Sequence, residues 1–291
     1  MINEILLGDC LELMKDIPDG SIDMVLCDLP YGTTQCKWDT VIPLDKLWLQ
    51  YNRVCKKNAA IVLTAAQPFT SSLVMSNPKY FKYNWIWEKS KATGYLNAKK
   101  MPMKAHEDIC VFYRKPPTYN PQMVEGDPYN KGTAHRPTDV YGSQVATLVK
   151  NDTGLRYPRT VQYFKTAESE GKKSVIHPTQ KPLALFEYLI KTYTNEEELV
   201  LDNCIGGGTT AVACINTNRR YIGMELDEEY YEKCLERIKK VKEKLDKWIV
   251  ICYITYVQAI VQTKSVDFFI QGWIMKPPYY HRKKGENHDS I

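Results

Sequence analysis

The 291-residue sequence predicts an α/β fold, a doubly wound sheet with a loop-rich region inserted into it. Three observations predict this. The apolar run Ile22-Asp23-Met24-Val25-Leu26-Cys27 reads as a buried strand and ends in Asp28-Leu29-Pro30-Tyr31-Gly32. A second run, Glu198-Leu199-Val200-Leu201, opens onto Asp202-Asn203-Cys204-Ile205-Gly206-Gly207-Gly208-Thr209-Thr210 and then the helical pattern 211–215. Strand, glycine cluster and helix in that order form the ligand-binding corner of a doubly wound sheet. Between the two corners, Pro116-Pro117, Pro121, Pro128, Pro137 and Pro158 punctuate a stretch rich in Tyr, Thr and Asn, where apolar periodicity fades.

In chain order, residues 1–113 read as alternating strands and helices, with strands expected at 22–27, 60–63, 83–87 and 109–113. Residues 114–176 form the insertion. Regular pattern returns with Pro182 just inside a helix start and Leu183, Phe186, Leu189 and Ile190 on one face. Tyr221-Ile222-Gly223-Met224 is the next strand and ends in Glu225. Asp227-Glu228-Glu229 opens a helix, with acids at the positive end of its dipole, and Tyr231, Leu235, Ile238 and Leu245 trace its apolar stripe. Residues 249–257 are short, apolar and β-prone, and are left open between an added strand pair, a contact surface and a packing appendix. The expected divisions are therefore 1–113, 114–176, 177–248 and a tail at 249–291.

The two corners carry chemistry. Where a strand runs out, an acid, a proline and an aromatic make a poor core and a good rim for a site. Proline lacks a backbone donor and fixes the turn, which leaves the Leu29 carbonyl free to face a ligand. The Asp28 carboxylate and that carbonyl can accept both hydrogens of one NH₂ group, and Tyr31 offers a flat face to a ring. At the other corner, glycines let a ligand approach the backbone. Glu225, 19 positions after Gly206, stands near the spacing at which an acid accepts from ribose hydroxyls. The Gly-Lys-Ser/Thr ending of a phosphate loop is absent.

Composition sets bounds. Hydrophobic content of 44% and charged content of 25% are those of an ordinary globular protein. No apolar run approaches the ~20 residues a membrane span requires, and the start lacks a basic n-region, so a cytoplasmic protein is expected. Nine cysteines without a Cys-x-x-Cys pair read as free core thiols rather than a zinc site; no metal is expected. Residues 114–181 hold eleven Lys or Arg against six Asp or Glu, which accounts for the whole net charge of +5. The stretch 89–104 adds five lysines without an acid. Basic segments lying between the two corners favour phosphate contact over a merely solvated face.

The ordered pair, Asp-x-Pro-Tyr first and Asp-x-x-x-Gly-x-Gly-Thr last, resembles the beta class of S-adenosylmethionine-dependent DNA amino-methyltransferases. The resemblance continues through Gly8-Asp9-Cys10-Leu11-Glu12, Trp87-Glu88-Lys89, 106–112, 156–161 and His177-Pro178-Thr179-Gln180-Lys181-Pro182, covering roughly residues 3–245. It implies a Rossmann-like methyltransferase sheet, with 1–113 as the catalytic half, 114–176 as the target-recognition insertion and 177–248 as the cofactor-binding half. By that resemblance Asp28, Leu29, Pro30 and Tyr31 grip the target base. Asp202, Gly206, Gly208 and Glu225 hold S-adenosylmethionine, Asp9 lies near its adenine, and His177, Thr179 and Lys181 lie near its methionine end. Leu29 stands where the family commonly has Pro, Asn203-Cys204 replaces Pro-Phe and should make the pocket less apolar, and Gly207 stands where Ser is frequent. Arg156, Arg159, Lys172 and Lys173 are candidates for contacts to double-stranded DNA, although the rigid corner Tyr157-Pro158 suits one arginine to a structural role. His106 reads foremost as a hydrogen-bonded structural residue.

The resemblance implies methylation of adenine N6 in DNA, in a modification enzyme whose partners can include a second copy and a cognate restriction endonuclease. Cytosine N4 is the nearest alternative, since that amine needs the same acceptors; Asp rather than Ser at 28 favours adenine. RNA or a protein glutamine would also offer a planar amine. An NAD-dependent oxidoreductase would explain Gly206 to Glu225 but leave Asp28 to Tyr31 without a task. A non-catalytic DNA-binding module would leave both corners without one.

Overall fold

The computed structural model describes residues 2–33, 39–134, 147–170 and 175–263. Strand β1 (Glu4–Leu7) and the short helix α1 (Cys10–Leu13) lead into β2 (Ile22–Asp28). Alternate residues of β2 enter opposite cores: Val25 and Cys27 belong to one, Met24 and Leu26 to the other. A strand buried on both faces needs helices on both faces, and the chain supplies them. Helix α2 (Leu44–Val54) buries Leu47, Trp48, Tyr51 and Val54 on a single face against the first core and delivers the chain to β3 (Cys55–Ala65). Helix α3 (Phe69–Ser76) joins that layer, and β4 (Phe81–Thr93) and β5 (Lys104–Phe112) complete the first half.

The middle of the chain holds the hairpin β6 (Tyr129–Ala134) and β7 (Thr147–Asn151), then β8 (Val161–Phe164) and the four-residue helix α4 (Ala167–Glu170). The second half is α5 (Leu183–Tyr193), β9 (Leu199–Asp202), α6 (Thr209–Asn216), β10 (Arg220–Glu225) and α7 (Glu228–Thr263). Helices α5, α6 and α7 cover the second face.

The eight-stranded sheet has the order β1-β10-β9-β2-β3-β5-β4-β8, and β6 with β7 forms a separate pair. Strands β1, β10, β9, β2 and β3 are parallel, while β5 is antiparallel to both β3 and β4. After β2 the chain winds one way, to β3; after β9 it winds the other way, to β10. The reversal falls between β2 and β9, which pair at Met24 with Val200 and Val25 with Leu201. A doubly wound sheet opens its ligand crevice at that reversal, at the carboxyl ends of the strands.

The expected α/β class and all four early strands are present, and the strands run longer than the apolar runs alone suggest. Pro182 caps α5 from outside rather than starting it. Residues 161–164, within the expected insertion, join the main sheet as β8 alongside Ile86 to Lys89 of β4. Ile238 is buried as expected, but Leu235 is exposed and Cys234 is the other buried residue of the α7 stripe. The β-prone run 249–257 continues α7 as helix. Extending an existing helix adds a hydrogen bond per residue without a new nucleus, and β-branched residues oppose it by only tenths of a kcal/mol each. No helix among the described residues is long and apolar enough to cross a membrane.

Candidate functional site

A cavity of about 320 Å³ opens at the reversal, and most of the expected site residues line it. Asp28, Leu29, Pro30 and Tyr31 enter from the end of β2, Asp202 and Gly206 from the end of β9, and Glu225 from the end of β10. Asp9 enters after β1, and His177, Thr179 and Lys181 enter ahead of α5. The two motifs, over 170 residues apart in sequence, therefore share one space.

The Asp28 carboxylate is the most heavily engaged group there. Its Oδ1 accepts from the Tyr31 hydroxyl at 2.8 Å and from Thr64 Oγ1, and its Oδ2 accepts from Lys181 Nζ at 2.6 Å. Of about four acceptor positions on a carboxylate, three are thus taken and one remains. Burial, then the negative charges of Asp28 and Glu107, push the Tyr31 phenol well up, so it stays a donor. The Tyr31 ring is stacked on Phe69, with centroids 5.2 Å apart. Asp39 accepts from the Gly32 and Thr33 amides at 2.8 and 2.9 Å and so fixes the turn that follows.

Lys181 is 7% exposed and stands between two carboxylates, Asp28 Oδ2 at 2.6 Å and Glu107 Oε2 at 3.4 Å. Glu107 in turn meets Lys89 Nζ at 2.5 Å through Oε1. Burial opposes the charge on Lys181, yet the two carboxylates outweigh it and hold the ammonium above the usual lysine range. Burial likewise opposes ionisation of Glu107, and Lys181 and Lys89 overcome it, holding that carboxyl below its usual range. Lys181, expected at the cofactor end, is thus salt-bridged to Asp28, the acid expected at the target base. Sequence reasoning misses Thr64, Phe69, Lys89 and Glu107 as site residues. Thr64, Lys89 and Glu107 sit on β3, β4 and β5 and are brought toward Asp28 by sheet register, while Phe69 reaches Tyr31 from helix α3.

At the cofactor corner the Glu225 carboxylate accepts from Gly206 N at 2.8 Å and Asp227 N at 2.9 Å. Burial holds that carboxyl above its usual range despite those amides. Gly206 has φ of 49°, a left-handed conformation that side chains resist. Gly208 does not line the cavity: with φ of 77° it caps α6, and Cys234 Sγ lies 2.7 Å from where its Cβ would stand. Asp9 caps α1, its Oδ1 accepting from Leu11 N at 2.7 Å. His177 lies edge-on to Tyr230, with centroids 4.3 Å apart, and Thr179 Oγ1 is 3.1 Å from its Nδ1. Burial, opposed by Asp28 and Asp227, keeps His177 below the usual imidazole range. Asn203 lines the cavity, but its Oδ1 accepts from Tyr51 at 2.5 Å and its amide faces Cys10 and Cys204, so much of its polarity turns inward.

Asp202 is buried, accepting from Thr210 Oγ1 and, at 3.1 Å, from Cys204 N. Burial pushes its carboxyl up to about 7. Between the unfolded value of ~3.9 and that folded value the native state keeps a proton the unfolded chain releases. Relative to Asp202→Asn, the parent should therefore lose stability as pH rises from about 4 to 7, by at most on the order of 4 kcal/mol. Urea unfolding of both proteins across that range measures it. A flat difference would mean that Asp202 ionises like an exposed acid.

Of the DNA-contact candidates, Arg156 donates from Nη2 to Asp127 O at 2.9 Å and its guanidinium covers the Tyr129 ring. Arg159 is exposed. Lys172 and Lys173 lie outside the described residues.

Residues 22–240 match the profile of a family described as DNA methylase. Among curated relatives, Type II methyltransferase M.HpaI of Haemophilus parainfluenzae is 27% identical over 251 residues, spanning 82% of this chain and 74% of the relative. DNA adenine methyltransferase YhdJ of Escherichia coli K12 is 27% identical over 248 residues, spanning 79% and 81%. Among solved structures, the PvuII DNA methyltransferase (cytosine-N4-specific) superposes with a TM-score of 0.57 at 17% identity, covering 82% of this chain and 90% of that one. The M1.HpyAVI-SAM complex gives 0.55 at 23% identity, covering 81% and 98%. These two likenesses show the fold.

Proposed function

The chain belongs to the DNA methylase family, and from that premise we propose that it methylates the N6 amine of adenine in DNA, with S-adenosylmethionine as donor. The observation that carries this reading is that Asp28, with one acceptor position left, lines with Leu29 the same cavity as Glu225 and Gly206.

The cavity residues fit the donor. Backbone exposed at Gly206, the acids Asp9 and Glu225, and the apolar Leu11, Ile205 and Leu226 suit a molecule with hydroxyls, an amine and an aromatic ring. Asp9 and Glu225 would take its polar groups, and His177 and Thr179 would flank it. When bound it supplies an electrophilic methyl group.

The chain's own residues act on the base. An exocyclic amine is a weak nucleophile because its lone pair is delocalised into the ring. Asp28 and the Leu29 carbonyl accept its two hydrogens, localise the pair and aim it. Such positioning is worth up to ~7–11 kcal/mol of barrier in well-oriented cases. Lys181 fixes the Asp28 carboxylate through a 2.6 Å ion pair, and Asp28 receives the proton released once the nitrogen has been methylated. Taking the base out of a duplex costs a few kcal/mol. Stacking on Tyr31, backed by Phe69, returns ~1–3 kcal/mol of that.

Replacing Glu225 with Ala should weaken S-adenosylmethionine binding by roughly 1–3 kcal/mol, the scale for hydrogen bonds to a charged group. Isothermal calorimetry measures it, and parental affinity would remove Glu225 from the cofactor site. The function itself is tested by sequencing DNA from cells expressing the chain, with detection of modified bases. N6-methyladenine in a fixed context is expected. N4-methylcytosine would replace the base assignment while keeping the site.

A further inference from the structure

The β4–β5 hairpin outruns the rest of the sheet on the side of the cavity. Ala65, the last residue of β3, pairs with Asp108 of β5, so residues 104–107 continue beyond β3. They do so at the end where Asp28 pairs with Thr64. Strand β4 accompanies them to the pair Thr93 with Lys104, after an irregularity beyond Glu88. A built turn closes the arm: Gly94 has φ of 92°, and Asn97 N donates to Gly94 O at 3.0 Å and Lys100 N to Asn97 O at 2.8 Å.

The tip presents what a folded protein ordinarily hides. Leu96 is 96% and Tyr95 79% exposed. Around them Lys91, Lys99, Lys100 and Lys104 are exposed, and residues 89–104 contain no acid. An apolar tip rimmed by cations marks a contact surface. Its charge fits a polyanion, and its place fits the substrate of the neighbouring site. The arm's root is also tied to that site, since Lys89 and Glu107 face each other there and Glu107 reaches Lys181 and so Asp28.

We propose that this arm enters duplex DNA, Tyr95 and Leu96 wedging into the base stack where the target base leaves it while Lys99 and Lys100 hold the flanking phosphates. Apolar wedges of this kind unstack base steps, and a wedge stabilises the flipped state by filling the gap. The inference rests on the methyl-transfer reading and adds to it a second, separate duty.

The test uses the full chain, S-adenosylmethionine and oligonucleotides bearing the modified site mapped in expressing cells. The variant Tyr95→Ala/Leu96→Ala should methylate a matched duplex roughly 10- to 100-fold more slowly, and match the parent when the target base faces an abasic position, where little unpairing is needed. Its cofactor affinity should be parental. Lys99→Ala/Lys100→Ala should lower the salt slope of duplex binding by about one unit per lysine. A parental rate on the matched duplex, or an equal loss on both substrates, would overturn the wedge. So would a variant altered only in self-association by sedimentation, which would make the arm a protein interface. If the parent itself modifies no DNA, the methyl-transfer reading fails first; in every other case the two readings are judged separately.

Discussion

Asp28→Ala is expected to abolish methyl transfer, by at least roughly 10²–10⁴-fold, while S-adenosylmethionine binds nearly as before. The carboxylate has three donors on it in the folded chain, and its remaining acceptor position is the one the target amine would use. The cofactor corner depends on a different set of bonds, from Gly206 and Asp227 to Glu225. Single-turnover transfer and calorimetry separate the two effects. Asp28→Asn retains an acceptor for Lys181 and so tests whether any loss comes from disturbing the ion network. Asp28→Ser retains a shorter, uncharged acceptor and should still be severely impaired. Activity within about threefold of the parent would take Asp28 out of the mechanism.

Lys181→Met should be the most damaging substitution for stability in the site, costing ~3–5 kcal/mol of unfolding free energy. Met keeps the volume and removes the cation that bridges Asp28 and Glu107, leaving two carboxylates in a largely buried space with Lys89 to offset them. Urea unfolding measures the loss. Part of it should return in Lys181→Met/Glu107→Gln, which removes one of the two charges. The pH dependence has a definite sign. Glu107 is held below its usual range, so its contribution to the parent is present above the unfolded value of ~4.3 and fades as pH falls through the lower folded value. That fading should be weaker in Lys181→Met, where Lys89 alone still holds Glu107 down. A cost under about 1 kcal/mol would mean that water screens the network as it does surface pairs.

Much of the frame is legible in the amino-acid order alone. Strand ends announce themselves through local chemistry, an apolar run stopped by Asp28-Leu29-Pro30 or by Asp202 and its glycines, so both corners stand out. Their meeting in one cavity follows from the family resemblance and from the way doubly wound sheets reverse. Thr64, Lys89 and Glu107 are harder, because each reaches the Asp28 neighbourhood across the sheet, and Phe69 reaches Tyr31 from a helix. Register between distant strands leaves no local mark. Lys181 stands out as a site residue but pairs with an unexpected neighbour, since its motif lies near the cofactor turn while its flexible side chain reaches the other way. Residues 249–257 mislead because Ile, Val and Tyr favour strands only where a sheet edge awaits them. Here the preceding helix is already formed.

The sheet order has a consequence for the chain as it is made. Strand β1 leaves the ribosome well before β10, with which it pairs, and Gly8 N donates to the Glu225 carbonyl at 2.8 Å. Until residue 225 has emerged, that first strand lacks its sheet neighbour and the cavity lacks a wall. Synthesis at ~5–20 residues per second makes that delay roughly ten seconds or more. A nascent chain can assemble the end of β2 against β3 early, yet the proposed donor site still lacks Glu225. On the proposed reading, a chain truncated before β10 lacks Glu225 and should be unable to transfer a methyl group.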